Sequence, residues 1–148
     1  MAFRGLYEHG LDSKDRLTIP AKLRAQLAEG VVISASLDRC VEIHPASEFA
    51  AYATKVQQGL NPLGKDARLI RRRISYRAQE EQIDSAGRVK IPKLLLEYGA
   101  LEGPCVIVGA DTNLEVWSPE RWAEQLAVMD AEAEQIAEGL AEGDWPAG

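Results

Sequence analysis

The sequence predicts an α+β protein, mostly β, made of two copies of one unit with flanking helices and a C-terminal helix. Three observations carry that prediction. One twelve-residue motif occurs twice, short β-prone runs bounded by turn residues recur in both halves, and three segments show helical apolar spacing.

The repeat organises everything else. Residues 12–23 read Asp-Ser-Lys-Asp-Arg-Leu-Thr-Ile-Pro-Ala-Lys-Leu, and residues 84–95, 72 positions later, read Asp-Ser-Ala-Gly-Arg-Val-Lys-Ile-Pro-Lys-Leu-Leu. Six of the twelve positions are identical, where chance gives fewer than about one. The likeness resumes with Val31-Val32-Ile33 over Val106-Ile107-Val108. At an offset of 73, Glu42-Ile43-His44 falls over Glu115-Val116-Trp117 and Phe49-Ala50 over Trp122-Ala123. The chain is therefore divided into a first repeat (5–50), a helical connector (51–76), a second repeat (77–122), and an acidic C-terminal helix and tail (123–148).

Each unit opens on an extended segment that enters Asp-Ser-x-x-Arg. Asp and Ser accept hydrogen bonds from nearby backbone amides, and Gly87 tolerates a positive φ, so this is turn chemistry. A β-prone run follows, Arg16–Ile19 or Arg88–Ile91. Pro20 or Pro92 then suits the first turn of a helix, where its missing N–H is not needed. Short helices are expected over Ala21–Ala28 and Lys93–Tyr98, with Gly30 and Gly99 as stops. Strand pairs 31–35 with 40–44, and 105–109 with 113–117, complete the units through tips at 36–39 and 110–112. In the connector, Pro45–Glu48 starts a helix carrying Phe49, Tyr52 and Val56, residues 59–64 break it, and a second helix spans Lys65–Tyr76. Residues 119–142 form a helix whose stripe of Trp122, Leu126, Met129, Ala133, Ile136 and Leu140 reads either as a coiled-coil seam or as packing on the parent domain. From Gly143 onward the chain is expected to fray.

Composition excludes several classes. No apolar run is long enough to span a bilayer, and the first residues lack a signal peptide's apolar core, so a cytoplasmic location is expected. Cys40 and Cys105 lie in apolar runs and are read as buried free thiols. No Cys/His cluster has metal-ligand spacing, and no cofactor is expected. His9 and His44 stand alone in sequence. The net charge of −6 is unevenly spread. Residues 1–93 carry a net +5 and residues 94–148 a net −11, an acidic tail on a basic body.

The basic residues of the doubled motif are the candidate site. Arginine presents a planar fork of donors that suits phosphate or a guanine edge, and a symmetric pair suits a duplex. Arg16 and Arg88 are the leading DNA-binding candidates. Arg4, Lys14, Lys22 and Arg24 add charge in the first copy, and Lys90 and Lys93 in the second. Asp12 and Asp84 are read as structural turn residues, since a carboxylate is a poor group to offer a phosphate. A second cluster, Lys65, Arg68, Arg71, Arg72, Arg73 and Arg77, is read as forming ion pairs in preference to contacting DNA. Two other readings stand beside a DNA-binding regulator. One is a protein-interaction or assembly module without DNA. The other is an enzyme using Asp12 and Asp84 as a carboxylate dyad, disfavoured because no nucleophile, phosphate-loop or metal motif accompanies them.

The stretch from Tyr7 to Lys22, the second motif Asp84–Pro92, and Glu115-Val116-Trp117 followed by Trp122 together resemble the MraZ family over about residues 3–125. The resemblance implies an AbrB-like swapped-hairpin β-barrel, formed here by the two repeats of one chain. It implies a ring-shaped homo-oligomer and a nucleoid-associated regulator, commonly a repressor. Such a regulator binds tandem repeats on double-stranded DNA in the promoter of the division and cell-wall gene cluster, its own operon included. It implies DNA contact by Lys14, Arg16 and Arg88, and neither enzymatic activity, a membrane nor a small-molecule substrate. Two departures stand out. Asp15 occupies a position that is usually glycine and adds negative charge beside the proposed site. Lys90 and Lys93 stand where apolar or small residues are more typical.

Overall fold

A computed structural model describes residues 2–143; Met1 and residues 144–148, which hold all of the expected frayed tail but Gly143, lie outside the described residues. The described chain divides into two compact units, one ending at Ser118 and one beginning at Pro119. The first unit holds eight strands. These are β1 (Leu6–Gly10), β2 (Arg16–Thr18), β3 (Val31–Ala35), β4 (Val41–Pro45), β5 (Gln79–Glu81), β6 (Arg88–Lys90), β7 (Pro104–Gly109) and β8 (Leu114–Trp117). Three helices accompany them, α1 (Ala46–Gln57), α2 (Lys65–Ser75) and α3 (Lys93–Gly99). The second unit is a single helix, α4 (Pro119–Glu142).

All strand pairing is antiparallel, in one six-stranded sheet of order β1-β7-β8-β4-β3-β5 and one two-stranded ribbon of β2 with β6. Within each half the hairpins β3–β4 and β7–β8 are local, and an isolated Leu11–Leu17 bridge closes the first turn. Every other pair joins one half to the other. β1 lies on β7 with Tyr7 opposite Ile107, and β5 lies on β3 with Gln79 opposite Ile33. β4 meets β8 at Glu42 opposite Glu115, and β2 meets β6 at Leu17 opposite Val89. Each of these last two pairs joins residues equivalent by the repeat, so a pseudo-two-fold axis runs between them.

These registers correct the alignment of the third strand. Ile33 is equivalent to Ile107, an offset of 74, so Val32-Ile33-Ser34 matches Val106-Ile107-Val108. A run of valines and isoleucines looks alike after a one-residue slip. The pairing register does not, because a slip turns every side chain to the other face.

The helix expected over Ala21–Ala28 is two successive 3-10 turns, Ala21–Leu23 and Ala25–Leu27, whereas its counterpart α3 is α-helical. Arg24 Nε donates to Ile19 O at 2.8 Å, and the Arg24 guanidinium lies against Gly87 of the other half. That side chain ties the segment to its own strand and to the second repeat, and tertiary contact overrides propensity. Gly99 does not end α3 by adopting positive φ. Ala100 does so at φ 51°, and Gly99 is kept small because a Cβ there would sit 3.1 Å from both Leu101 Cγ and Val41 Cγ2.

One core serves both halves. Leu17, Ile19, Leu27, Val31, Ile33, Val41 and Ile43 from the first pack with Val89, Ile91, Leu95, Ile107, Leu114 and Val116 from the second, all essentially inaccessible to solvent. His44 is buried beside this core, 5.2 Å from Phe49 and 4.6 Å from Tyr52 between ring centroids, with Nε2 3.2 Å from Glu42 Oε1. It is a packed histidine. Cys40 and Cys105 are buried free thiols, and burial pushes both thiol pKa values up, Cys105 to about 11. No described helix is long and apolar enough to cross a membrane.

Leu17→Ala removes a fully buried side chain at the pairing of the two halves, and we expect a loss of about 2–5 kcal/mol. Urea unfolding should show a single transition at lower midpoint, since a core shared by both repeats unfolds as one; separate transitions for the halves would contradict the shared core.

Candidate nucleic-acid interface

The two Asp-Ser-x-x-Arg turns are built alike. In the first, Asp12 Oδ1 accepts from the backbone N–H of Lys14 and of Arg16, both at 2.9 Å, and Oδ2 accepts from Arg16 Nε at 2.8 Å. In the second, Asp84 Oδ1 accepts from the N–H of Ala86 and of Arg88, both at 2.9 Å, and Oδ2 accepts from Arg88 Nε at 3.0 Å. Each carboxylate thus shapes its turn and fixes the plane of its arginine. The fourth turn residue has positive φ in both, Asp15 at 59° and Gly87 at 79°. The turns also lace together across the halves, with Ile19 N donating to Gly87 O at 2.8 Å and Ile91 N to Asp15 O at 2.9 Å.

Successive residues of a strand face opposite ways. In the ribbon, Leu17 and Val89 therefore point into the core, and Arg16, Thr18, Arg88 and Lys90 share the outer face. Arg16 stands directly opposite Lys90 and Thr18 opposite Arg88, which makes the two arginines diagonal neighbours at a Cα spacing of roughly 7–8 Å. Arg88 Nη1 also lies 3.9 Å from Asp12 Oδ2, so the first turn's carboxylate faces both guanidiniums. With Nε committed to aspartate and about a third of each side chain exposed, the Nη groups of Arg16 and Arg88 remain for an outside acceptor.

The other candidates fall in different places. The exposed Lys14 is in the first turn, beside the ribbon. Lys22 and Lys93 are exposed just past Pro20 and Pro92. Arg24 is engaged with Ile19 O and Gly87, as above, and is part of the scaffold. Arg4 is not brought to the turns. It sits beside Gly109 at the far end of the β1–β7 ladder, while Leu11 at the other end donates to Gly103 O, a separation of roughly 20 Å along the strand. Thr18 was missed by charge-based reading; the two-residue period of the strand after Arg16 is the signal that finds it.

Three residues of the second basic cluster have partners other than carboxylates within the first unit. Arg73 Nη2 donates to Ser36 O and to Tyr98 Oη, both at 2.9 Å, and Arg77 stacks on the rings of Tyr98 and Tyr76 at 4.3 and 4.6 Å. Arg68 Nη1 donates to Leu63 O at 2.7 Å. These are carbonyl and cation–π contacts.

Electrostatics separates the two aspartates from a catalytic dyad. Backbone donation by Arg16 leads in drawing the Asp12 carboxyl down to about 2, and the same bond from Arg88 leads in lowering Asp84. A dyad sharing a proton needs one carboxyl raised; here both are held ionised by their own turns.

Fold and ribbon together define a duplicated α+β protein whose two halves jointly display basic side chains on one small ribbon of nearly two-fold backbone. The sequence matches the family described as "MraZ protein, putative antitoxin-like" in two segments, residues 2–73 and 75–142. The "Transcriptional regulator MraZ" of Roseiflexus castenholzii is 40% identical over 141 residues, 95% of this chain and 97% of that protein. That of Symbiobacterium thermophilum is 39% identical over 136 residues, 92% and 98% of the two chains, and that of Clostridium tetani 38% over 140 residues, 95% and 97%. The chain belongs to the MraZ family.

Two outcomes test the turns. The lowered carboxyls favour the folded state above the ordinary aspartate value of 3.8, and that advantage is lost as pH falls toward about 2. Thermal melts from pH 5 to 2 should therefore show Tm falling through this window, and falling less in Asp12→Asn, which starts lower at pH 5. Asp15→Gly relieves a positive φ at no steric cost; we expect unchanged or higher stability, by up to about 1 kcal/mol in chemical unfolding, whereas a clear loss would show that the Asp15 side chain supports the turn.

Proposed function

We propose that this protein is a transcriptional regulator and not an enzyme, and that it acts by binding double-stranded DNA through the β2–β6 ribbon. The observation that carries the reading is the convergence of Arg16, Arg88 and Lys90 from both halves on one outer face, with Lys14 at its edge. Aspartate holds each arginine by Nε and leaves Nη donors for a phosphate or a guanine edge. The cross-half pairing of β1 with β7 and of β3 with β5 supports an AbrB-like swapped-hairpin arrangement, made by one chain in place of two. Family membership supports the finer reading. The target is a set of tandem repeats in the promoter of the division and cell-wall gene cluster, including the protein's own operon. The action there is repression, and the working form is a cytoplasmic, nucleoid-associated homo-oligomeric ring. In this reading Arg16, Arg88, Lys90 and Lys14 touch DNA, and Lys22 and Lys93 add flanking charge. Arg24 and the two aspartates act through the turns, and Arg4 plays no part at this ribbon.

A mobility shift with the gene's own upstream region tests this. Four phosphate contacts per ribbon weaken binding on the order of 100-fold between 50 and 200 mM salt. The double variant Arg16→Ala, Arg88→Ala should lose roughly 100-fold or more in affinity with an unchanged melting curve. Undiminished promoter binding by the folded double variant would refute the site. Absence of any salt-sensitive shift by the wild-type protein would favour an assembly module without DNA.

A further inference from the structure

The outward side of α2 and the whole of α4 carry opposite charge and matching apolar spacing. On α2 and just beyond it, Lys65, Leu69, Arg72 and Tyr76 recur at spacings of four, three and four, which places them in one stripe. Arg68 flanks the stripe on one side and Arg73 and Arg77 on the other. Leu69 and Tyr76 are 52% and 58% exposed, large apolar side chains open to solvent even with Arg77 against one face of the Tyr76 ring. Leu69, Arg72, Arg73, Tyr76 and Arg77 line an open groove of about 520 Å³ there, and Arg77 Nε is buried without a hydrogen-bond partner among the described residues. The segment 65–77 holds six basic residues and one acidic one, Asp66.

Helix α4 has the complementary character. It carries seven acidic residues and one basic one, and none of its described residues is buried. Its exposed Leu126, Met129, Ile136 and Leu140 lie on one stripe, flanked by Asp130 and Glu132. Two such helices paired with each other would set seven carboxylates against seven, whereas α2 offers cations on the same spacing.

We infer that the α2 groove of one copy receives the acidic α4 of a second copy. The apolar stripes meet, and the flanking carboxylates face the exposed Lys65 and Arg72, with Arg68 beside them. Socket and plug are different surfaces of one chain, so the contact is head-to-tail. Every copy in a closed assembly is then held twice, once by its socket and once by its plug. This rests on the homo-oligomeric reading above and supplies its interface; it involves no DNA residue.

Light scattering on a sizing column tests it with the full chain and no DNA, so that failure here leaves the DNA reading to its own experiment. The wild type should run at a multiple of its 16.2 kDa mass. Lys65→Glu with Arg72→Glu reverses the socket, and Asp130→Lys with Glu132→Lys reverses the plug. Each variant alone should fall to the monomer mass while keeping the wild-type circular dichroism spectrum. A mixture of the two, and one chain carrying all four changes, should recover the assembly. That recovery also separates lost pairing from lost folding. A monomeric wild type, a socket variant that stays assembled (as α4 pairing with itself would allow), or mixing without recovery would each overturn the inference.

Discussion

Neither half of this chain can complete its own β structure. β1 and β5 each find their partner strand in the opposite repeat, and the partner strand of β2 is β6. Separating the halves would strip backbone partners from three kinds of strand and expose Leu17, Ile19, Val89 and Ile91 together. Each such side chain is worth about 1.5–3 kcal/mol when fully buried. The pairing therefore dictates the symmetry, and the symmetry dictates where the turns go. Its second consequence lies at β4–β8, where equivalent residues on the axis must face each other and a glutamate meets a glutamate. Like charges directly opposite are unfavourable. The fold gives each a separate neighbour, His44 for Glu42 and Trp117 Nε1 at 3.1 Å for Glu115. Burial first, and Glu42 after it, push the Glu115 carboxyl up.

The same constraint explains why each turn carries an aspartate. A hairpin that presents a guanidinium from a three-residue strand has little packing of its own to hold it. Asp12 and Asp84 each tie two backbone amides and one side-chain nitrogen to a single carboxylate, so the arginine is fixed before any ligand arrives. Pre-ordering removes rotamer entropy that binding would otherwise cost. The negative charge beside each guanidinium weakens its field somewhat; geometry is gained in return.

Much of this was legible in the sequence, and what was not has identifiable causes. The duplicated turn could be read because Asp, Ser, Arg and Pro each have a local job that the chain repeats. Helices α1, α2 and α4 could be read from their apolar spacing. The cross-half pairing could not, since alternation of side chains says which face is buried and not which strand lies alongside. Arg24 looked like one more surface cation, and only the fold reveals that its guanidinium sits on Gly87, 63 residues away in sequence. Arg73 and Arg77 were legible as charge, but their partners Ser36 and Tyr98 come from elements distant in the chain. Arg4 was grouped with the site through nearness in sequence, yet an extended strand carries five residues much farther than a turn does.

Fusing two repeats into one chain also frees them to differ, and the differences gather at the ribbon. The first turn has Lys14 and Asp15 where the second has Ala86 and Gly87, and Thr18 stands where the second has Lys90. Buried equivalents barely change, as Leu17 with Val89 and Ile19 with Ile91 illustrate, because they must fill one shared core across the axis. On the outer face no such demand operates. A change there alters one side of the surface without being copied to the other, which a pair of identical chains cannot do. The backbone of this ribbon is thus nearly two-fold while its charge is not. A ligand that reads the ribbon meets a surface with a direction, and copies arrayed head-to-tail would all present that direction in the same sense.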